Sequence, residues 1–154
     1  IKHTNACGVA TGSSVKEAYL KAFAADTVSA FGGVLATNKP VDLAAAEELN
    51  KLFFEILIAP AYNDDALELL KSKKNRMLLV QRKPLSEQVQ FKSLLNGVIE
   101  QDADNKTDNK ADLKVVTKVA PSADQVDALL FASKIAKHTK SNTIVLAVEG
   151  QLLA

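Results

Sequence analysis

Cysteine is almost absent: Cys7 is the only one in 154 residues. No disulfide can form within the chain, which fits a reducing, cytoplasmic setting. Histidine is scarce as well, and one cysteine with two histidines falls short of a complete zinc site, so no metal is expected. An excess of either charge is also lacking. The 19 Lys and Arg against 18 Asp and Glu leave a net charge of +1, so no broad field recruits nucleic acid or an anionic membrane. Any anionic ligand needs a local site. No apolar run reaches the roughly 18 residues of a membrane span, and no basic-then-apolar leader opens the chain.

What is present is the balance of an ordinary globular protein, 47% hydrophobic and 24% charged. At this length roughly two thirds of the unfolded surface can be buried in one core. The chain opens on Ile1 and closes on Gly150-Gln151-Leu152-Leu153-Ala154, and reads as an internal piece of something longer.

Helix and strand signals alternate. Ser14-Val15-Lys16-Glu17 has capping-box spacing and opens a first helix with Val15, Tyr19, Ala22 and Phe23 inward. A run over 28–37 carries Phe31-Gly32-Gly33 into a short strand at Val34-Leu35-Ala36. Asp42 caps a second helix expected to reach about Phe53. Residues 55–58 form a buried strand ended by Ala59-Pro60. Asn63 or Asp64 caps a third helix with Ala66, Leu67 and Leu70 inward, and 76–80 is another strand. Asn96-Gly97 marks a turn before Val98-Ile99, and 101–112 is too polar to pack and reads as a surface loop. Strands are expected at 114–117 and 143–148. Between them Ser122 and Gln125 form a second capping box, with Val126, Leu129, Leu130 and Ser133 in one stripe. The fold expected is one layered α/β domain over residues 1–154, a mixed sheet with flanking helices.

Five short stretches carry chemical potential. Lys2-His3 pairs a cation with an imidazole that can move a proton near neutral pH, although such a pair alone is more often a solvated strand end. Cys7, in Asn5-Ala6-Cys7-Gly8, reads as a small buried filler rather than a nucleophile, since no partner base is visible. Ser29-Ala30-Phe31-Gly32-Gly33 is either a plain tight turn or a backbone cradle whose N–H groups receive a ligand. Glu55, at the mouth of an apolar strand, is either edge-exposed or faces a pocket and accepts from a ligand amine. Asn142 can orient a ligand amide or an imidazole, or can merely cap a helix, and His138 reads as a residue at a helix end.

Taken in order, these stretches resemble one family. Lys2-His3-Thr4-Asn5-Ala6-Cys7-Gly8 resembles the Lys-His-x-Asn-Pro-Cys-Gly segment of the aminoimidazole carboxamide ribotide (AICAR) formyltransferase domain, which belongs to a bifunctional purine enzyme that also has an IMP cyclohydrolase domain. Asp26-Thr27-Val28-Ser29-Ala30-Phe31-Gly32-Gly33 is similar to its Asp-Pro-x-Ser-Ala-Phe-Gly-Gly. Ile58-Ala59-Pro60 with Ala66-Leu67 and Lys73-Lys74-Asn75, Gly97-Val98-Ile99-Glu100-Gln101-Asp102, and the segment 137–143 match further segments in the same order. Ala6 and Thr27 stand where the family has proline, and His138 and Lys140 replace Tyr and Gln.

The resemblance implies transfer of a formyl group from 10-formyltetrahydrofolate, as co-substrate, to the 5-amino group of AICAR. It implies catalytic roles for Lys2 as transition-state stabiliser, His3 as proton acceptor and Asn142 as the group orienting that histidine and the substrate carboxamide. It places Gly32 and Glu55 in the AICAR pocket, gives the fold as a cytidine-deaminase-like subdomain, and makes the parent a homodimer. Deamination is disfavoured, because the cysteine pair that holds zinc in deaminases is missing. Phosphate- and folate-binding segments of the family are absent from these 154 residues, so the isolated chain is expected to be inactive. The alternative is a non-catalytic fold-mate that binds a nucleotide or a partner.

Overall fold

The computed structural model describes residues 5–84 and 88–154. Helix α1 (Val15–Ala25) begins where Ser14 Oγ accepts from the Glu17 N–H at 3.1 Å. The Glu17 carboxylate does not close a reciprocal box with Ser14. It accepts instead from the Ser13 N–H and hydroxyl, at 2.8 and 2.6 Å, and pairs with Lys21 at 2.7 Å. The Lys21 ammonium, then the Ser13 donors, hold its carboxyl down at about 2 instead of 4.5. Because the folded value is the lower one, the stabilisation is complete above pH 4.5 and disappears as pH falls towards 2. The thermal midpoint of the native sequence is therefore expected to fall more steeply over that window than that of Glu17→Gln; parallel profiles would contradict this.

Strand β1 (Gly33–Ala36), helix α2 (Leu43–Leu49), strand β2 (Phe54–Ala59), helix α3 (Asp64–Lys71) and strand β3 (Met77–Val80) form a βαβαβ unit with all three strands parallel, in the order β1-β2-β3. Asp42 caps α2 by accepting from the Ala45 N–H at 2.9 Å, whereas the Asn63 side chain makes no cap bond to α3. Helix α2 stops at Leu49 and does not reach Phe53. The apolar residues after it are taken by β2, where Phe54 is fully buried, and that burial outweighs another helical turn. Leu49, Phe54, Leu57 and Leu70 interlock in the core, with Ala45, Ala46 and Ala66 allowing close approach of the helices. Tyr62 donates its hydroxyl to the Leu57 carbonyl at 2.8 Å, with the Leu79 carbonyl at 3.2 Å, and burial pushes its pKa up to about 12.

Laterally paired residues of parallel strands share a face. Leu35, Leu57 and Leu78 form a row in or against the core. Val34, Ile56 and Met77 form a row on the opposite face, followed by Ala36, Ile58 and Leu79. Parallel sheets are normally covered on both sides, yet Met77 and Leu79 on this face remain about half exposed, at 52% and 48%.

The remaining strands do not extend this sheet. They form two separate antiparallel pairs, so the single mixed sheet expected is three sheets among the described residues. Strand β4 (Val89–Leu94), not foreseen from sequence, pairs with β5 (Gly97–Asp102) across a turn at Leu95-Asn96. No strand forms at 114–117, where Val115 and Val116 are solvent-exposed and find no pairing partner among the described residues. Helix α4 (Ala123–Lys137) has both halves of the Ser122–Gln125 capping box. Its Leu129 nevertheless points outward, 54% exposed, so the expected stripe is only partly inward. Of the expected final strand, β6 (Ala147–Val148) pairs with β7 (Gln151–Leu152), and Leu146 before it exchanges backbone hydrogen bonds with Leu153 and Ala154.

The start of the described chain returns to this end. The Thr11 N–H donates to the Gly150 carbonyl and the Leu152 N–H to the Val9 carbonyl, both at 2.8 Å. Gln151 Nε2 reaches the Lys21 carbonyl of α1 at 2.9 Å. The chain exposes 11298 Å², against about 7,500 Å² expected for a self-contained protein of this mass. Among the described residues, no helix is long and apolar enough to cross a membrane.

Candidate active site

The turn before β1 is organised by Asp26. Its carboxylate accepts from the Ser29 and Val28 N–H groups at 2.8 and 3.0 Å. Hydrogen bonding by Ser29, side chain first and then backbone, holds it below the ordinary aspartate value. This carboxylate fixes the turn with no proline at position 27. The Phe31 N–H then donates to the Val28 carbonyl (3.3 Å), Gly33 to Ala30 (3.1 Å) and Gly32 to Phe53 (2.9 Å). Gly32 has φ +69° and open space beside it, the nearest atom to a Cβ there being a Phe53 ring carbon at 3.8 Å. Conformation and not crowding demands glycine. The sequence reading left open a cradle of available N–H groups here. The amides of Ser29, Phe31, Gly32 and Gly33 all have intramolecular acceptors, which favours the plain tight turn of the two readings.

Glu55 is joined to this turn through the register of the sheet. Gly33 pairs with Phe54 but Val34 with Ile56, so β2 carries one extra residue at Glu55. The burial pattern agrees: Phe54, Leu57 and Ala59 are buried, a spacing of three and then two. Glu55 and Ile56 therefore share the side away from the core. A bulge re-aims a side chain and recurs beside active sites. Glu55 is neither edge-exposed nor core; it is half-buried, in the strand next to Gly32.

Asn142 follows α4. His138 is the C-cap, donating its N–H to Ile135 and Ala136 carbonyls, and the Thr139 hydroxyl returns to the Ile135 carbonyl at 2.8 Å. Asn142 is exposed and is not the cap. Between His138 and Asn142, the Lys140 N–H donates to Asn5 Oδ1 at 2.9 Å across 135 positions of sequence. Lys2 and His3 lie outside the described residues. The structure thus brings together Gly32 with Glu55, and Asn5 with the Asn142 segment, on different elements of the fold.

Cys7 is exposed, contrary to the reading as a buried filler: the residue packed against α1 is Gly8, where a Cβ would meet the Ala22 carbonyl oxygen at 2.0 Å. Among the described residues no three His, Cys, Asp or Glu side chains gather in a metal-holding group. Two open clefts of about 460 and 610 Å³ run along α4, one between it and the 104–108 loop, and neither is lined by Gly32, Glu55 or Asn142. Sequence reasoning gave Asn5, Asp26 and Arg76 no role. The Asp-x-x-Ser spacing could have found Asp26; no local signal points to the other two.

A parallel βαβαβ unit, with an ordered glycine turn and a bulged acidic residue beside it, places a candidate site at the margin of the sheet of an α/β protein. Comparison with known proteins makes the class specific. The family model described as the AICARFT/IMPCHase bienzyme matches residues 1–154, and the chain belongs to that family. A relative from Bacteroides thetaiotaomicron, bifunctional purine biosynthesis protein PurH, is 55% identical over 154 residues, covering 100% of this chain and 30% of that protein. Its namesakes from Chlorobium phaeobacteroides and Lacticaseibacillus casei are 53% and 46% identical, over 98% and 99% of this chain and 29% and 31% of theirs. The chain thus spans about 30% of the length of these relatives.

Proposed function

We propose that this chain supplies the Lys-His part of a formyl-transfer site in de novo purine (IMP) biosynthesis, moving the formyl group of 10-formyltetrahydrofolate to the 5-amino group of AICAR. The observation that carries the reading is the Asn5–Lys140 hydrogen bond. His3 is two residues from one of its ends and Asn142 two residues from the other, each within about 7 Å of chain. The bond thereby joins the two segments of sequence to which the resemblance assigns catalysis. The amine nitrogen of AICAR attacks the formyl carbon while His3 takes its proton and Lys2 stabilises the negative charge on the formyl oxygen. The bond from carbon to the folate nitrogen then breaks, and that nitrogen leaves protonated as tetrahydrofolate. Asn142 orients the imidazole and the substrate carboxamide, and Gly32 and Glu55 line the ribotide pocket.

The parent is a cytoplasmic, homodimeric enzyme with formyltransferase and IMP cyclohydrolase activities, of which residues 1–154 form about one cytidine-deaminase-like subdomain. The large exposed surface and the half-covered sheet support a chain that is completed by further polypeptide. The test is formation of formyl-AICAR and tetrahydrofolate from the two substrates. The full-length protein is expected to form both, and these 154 residues alone less than about 1% as much, because transition-state binding groups lie elsewhere. Ribotide binding by the full-length protein without product would favour the non-catalytic fold-mate.

A further inference from the structure

We infer that Arg76 is a positioning residue for Glu55, an inference that rests on the proposal that Glu55 lines the ribotide pocket. Met77 pairs with Ile56, so Arg76, immediately before β3, lies level with Glu55 on the side of β2 opposite Gly33. Strand alternation puts its side chain on the core face, opposite Met77. There Nη1 donates to Asn50 Oδ1 at 2.7 Å, Nη2 to the Leu52 carbonyl at 3.1 Å and the Asn50 carbonyl at 3.4 Å. The guanidinium carbon sits 4.2 Å from the centroid of the Phe54 ring. The side chain is part-buried, and its Nε, buried without a hydrogen-bond partner, is a cost that the other contacts must outweigh.

These contacts converge on the segment that leads into the bulge. Arg76 holds the Leu52 carbonyl and the Phe54 ring from one side. The Gly32 N–H holds the Phe53 carbonyl from the other, at 2.9 Å, and the Phe31 ring lies 5.1 Å from that of Phe53. With residues 52, 53 and 54 each fixed, the direction in which the chain enters the bulge is fixed, and so is the face to which Glu55 is presented. A bulge has one ladder contact fewer than a regular strand, so its aim depends on such outside support. A planar fork that donates to two carbonyl groups while lying on a ring is geometry that lysine cannot reproduce.

The experiment is steady-state formyl transfer by the full-length protein with Arg76→Met, Arg76→Lys, Glu55→Gln and the Arg76→Met/Glu55→Gln double variant. Arg76→Met is expected to raise KM for AICAR about tenfold with kcat within about threefold, and Arg76→Lys to raise it about threefold. In the Glu55→Gln background, Arg76→Met is expected to add less than about twofold, because the group it positions is already lost. A lower thermal midpoint with unchanged KM, or a full multiplicative effect in the double variant, overturns the inference. Should Arg76→Met not fold, Arg76→Lys decides by the same KM comparison. If Glu55→Gln alone leaves KM unchanged, it is the pocket reading that fails; if it raises KM while the Arg76 variants do not, only the role of Arg76 fails.

Discussion

Replacing His3 by alanine in the full-length protein is expected to lower kcat for formyl transfer by about 10²–10⁴-fold, the range for a positioned general base, while KM for AICAR changes less than about threefold. The 5-amino group is a weak nucleophile, and its attack on the formyl carbon leaves a proton that must go somewhere as the bond forms. An imidazole titrates near pH 6.5 when unperturbed, so it is ready to accept that proton at neutral pH. An acid limb should be present in the native pH–rate profile and absent in His3→Ala. Lys2 and the bound folate remain, so residual catalysis should persist. If kcat were unchanged, the proton must be taken by another group and the catalytic reading of the Lys-His pair would fall.

The second large effect is expected in the core. Phe54 is completely buried, interlocked with the α2 and α3 side chains, and covered by Arg76 at 4.2 Å. Phe54→Ala should cost about 3–5 kcal/mol, the usual range for emptying a buried aromatic position, with loss of the cation–π contact adding to it. That approaches the lower end of the roughly 5–15 kcal/mol total stability of a domain. Phe31 provides the contrast: 69% exposed, it should cost no more than about 1 kcal/mol when truncated. Amide hydrogen exchange of the β2 residues in the full-length protein measures both. Unchanged protection of β2 in Phe54→Ala would mean that this cluster is not the centre of the fold.

The helix starts were readable from sequence because caps are local. Ser14, Asp42 and Ser122 each bond an N–H three residues on, and that spacing is visible in the letters. The end of α2 was not readable, because Leu52 to Phe54 suits either a helix or a strand until a neighbouring strand competes for it. Strand β4 was missed because Val89-Gln90-Phe91-Lys92 alternates over only four residues before Ser93-Leu94 breaks the pattern. Conversely, the β-branched stretches at 114–117 and 143–145 look like strands but form none. At the site, resemblance named Gly32, Glu55 and Asn142, but not how they are held. The meeting of Gly32 and Glu55 depends on a one-residue register shift between strands on either side of α2. The Asn5–Lys140 bond spans 135 positions. Neither relation has a local sequence signature.

The central claim, that His3 and Asn142 act as one unit, is tested most directly by a double-mutant cycle on kcat in the full-length protein: His3→Ala, Asn142→Ala and the two combined. If Asn142 works by orienting His3, the double variant should lose about as much as His3→Ala alone, since groups that act together are not additive. Losses that multiply in full would show that the two residues act independently, and would contradict the account.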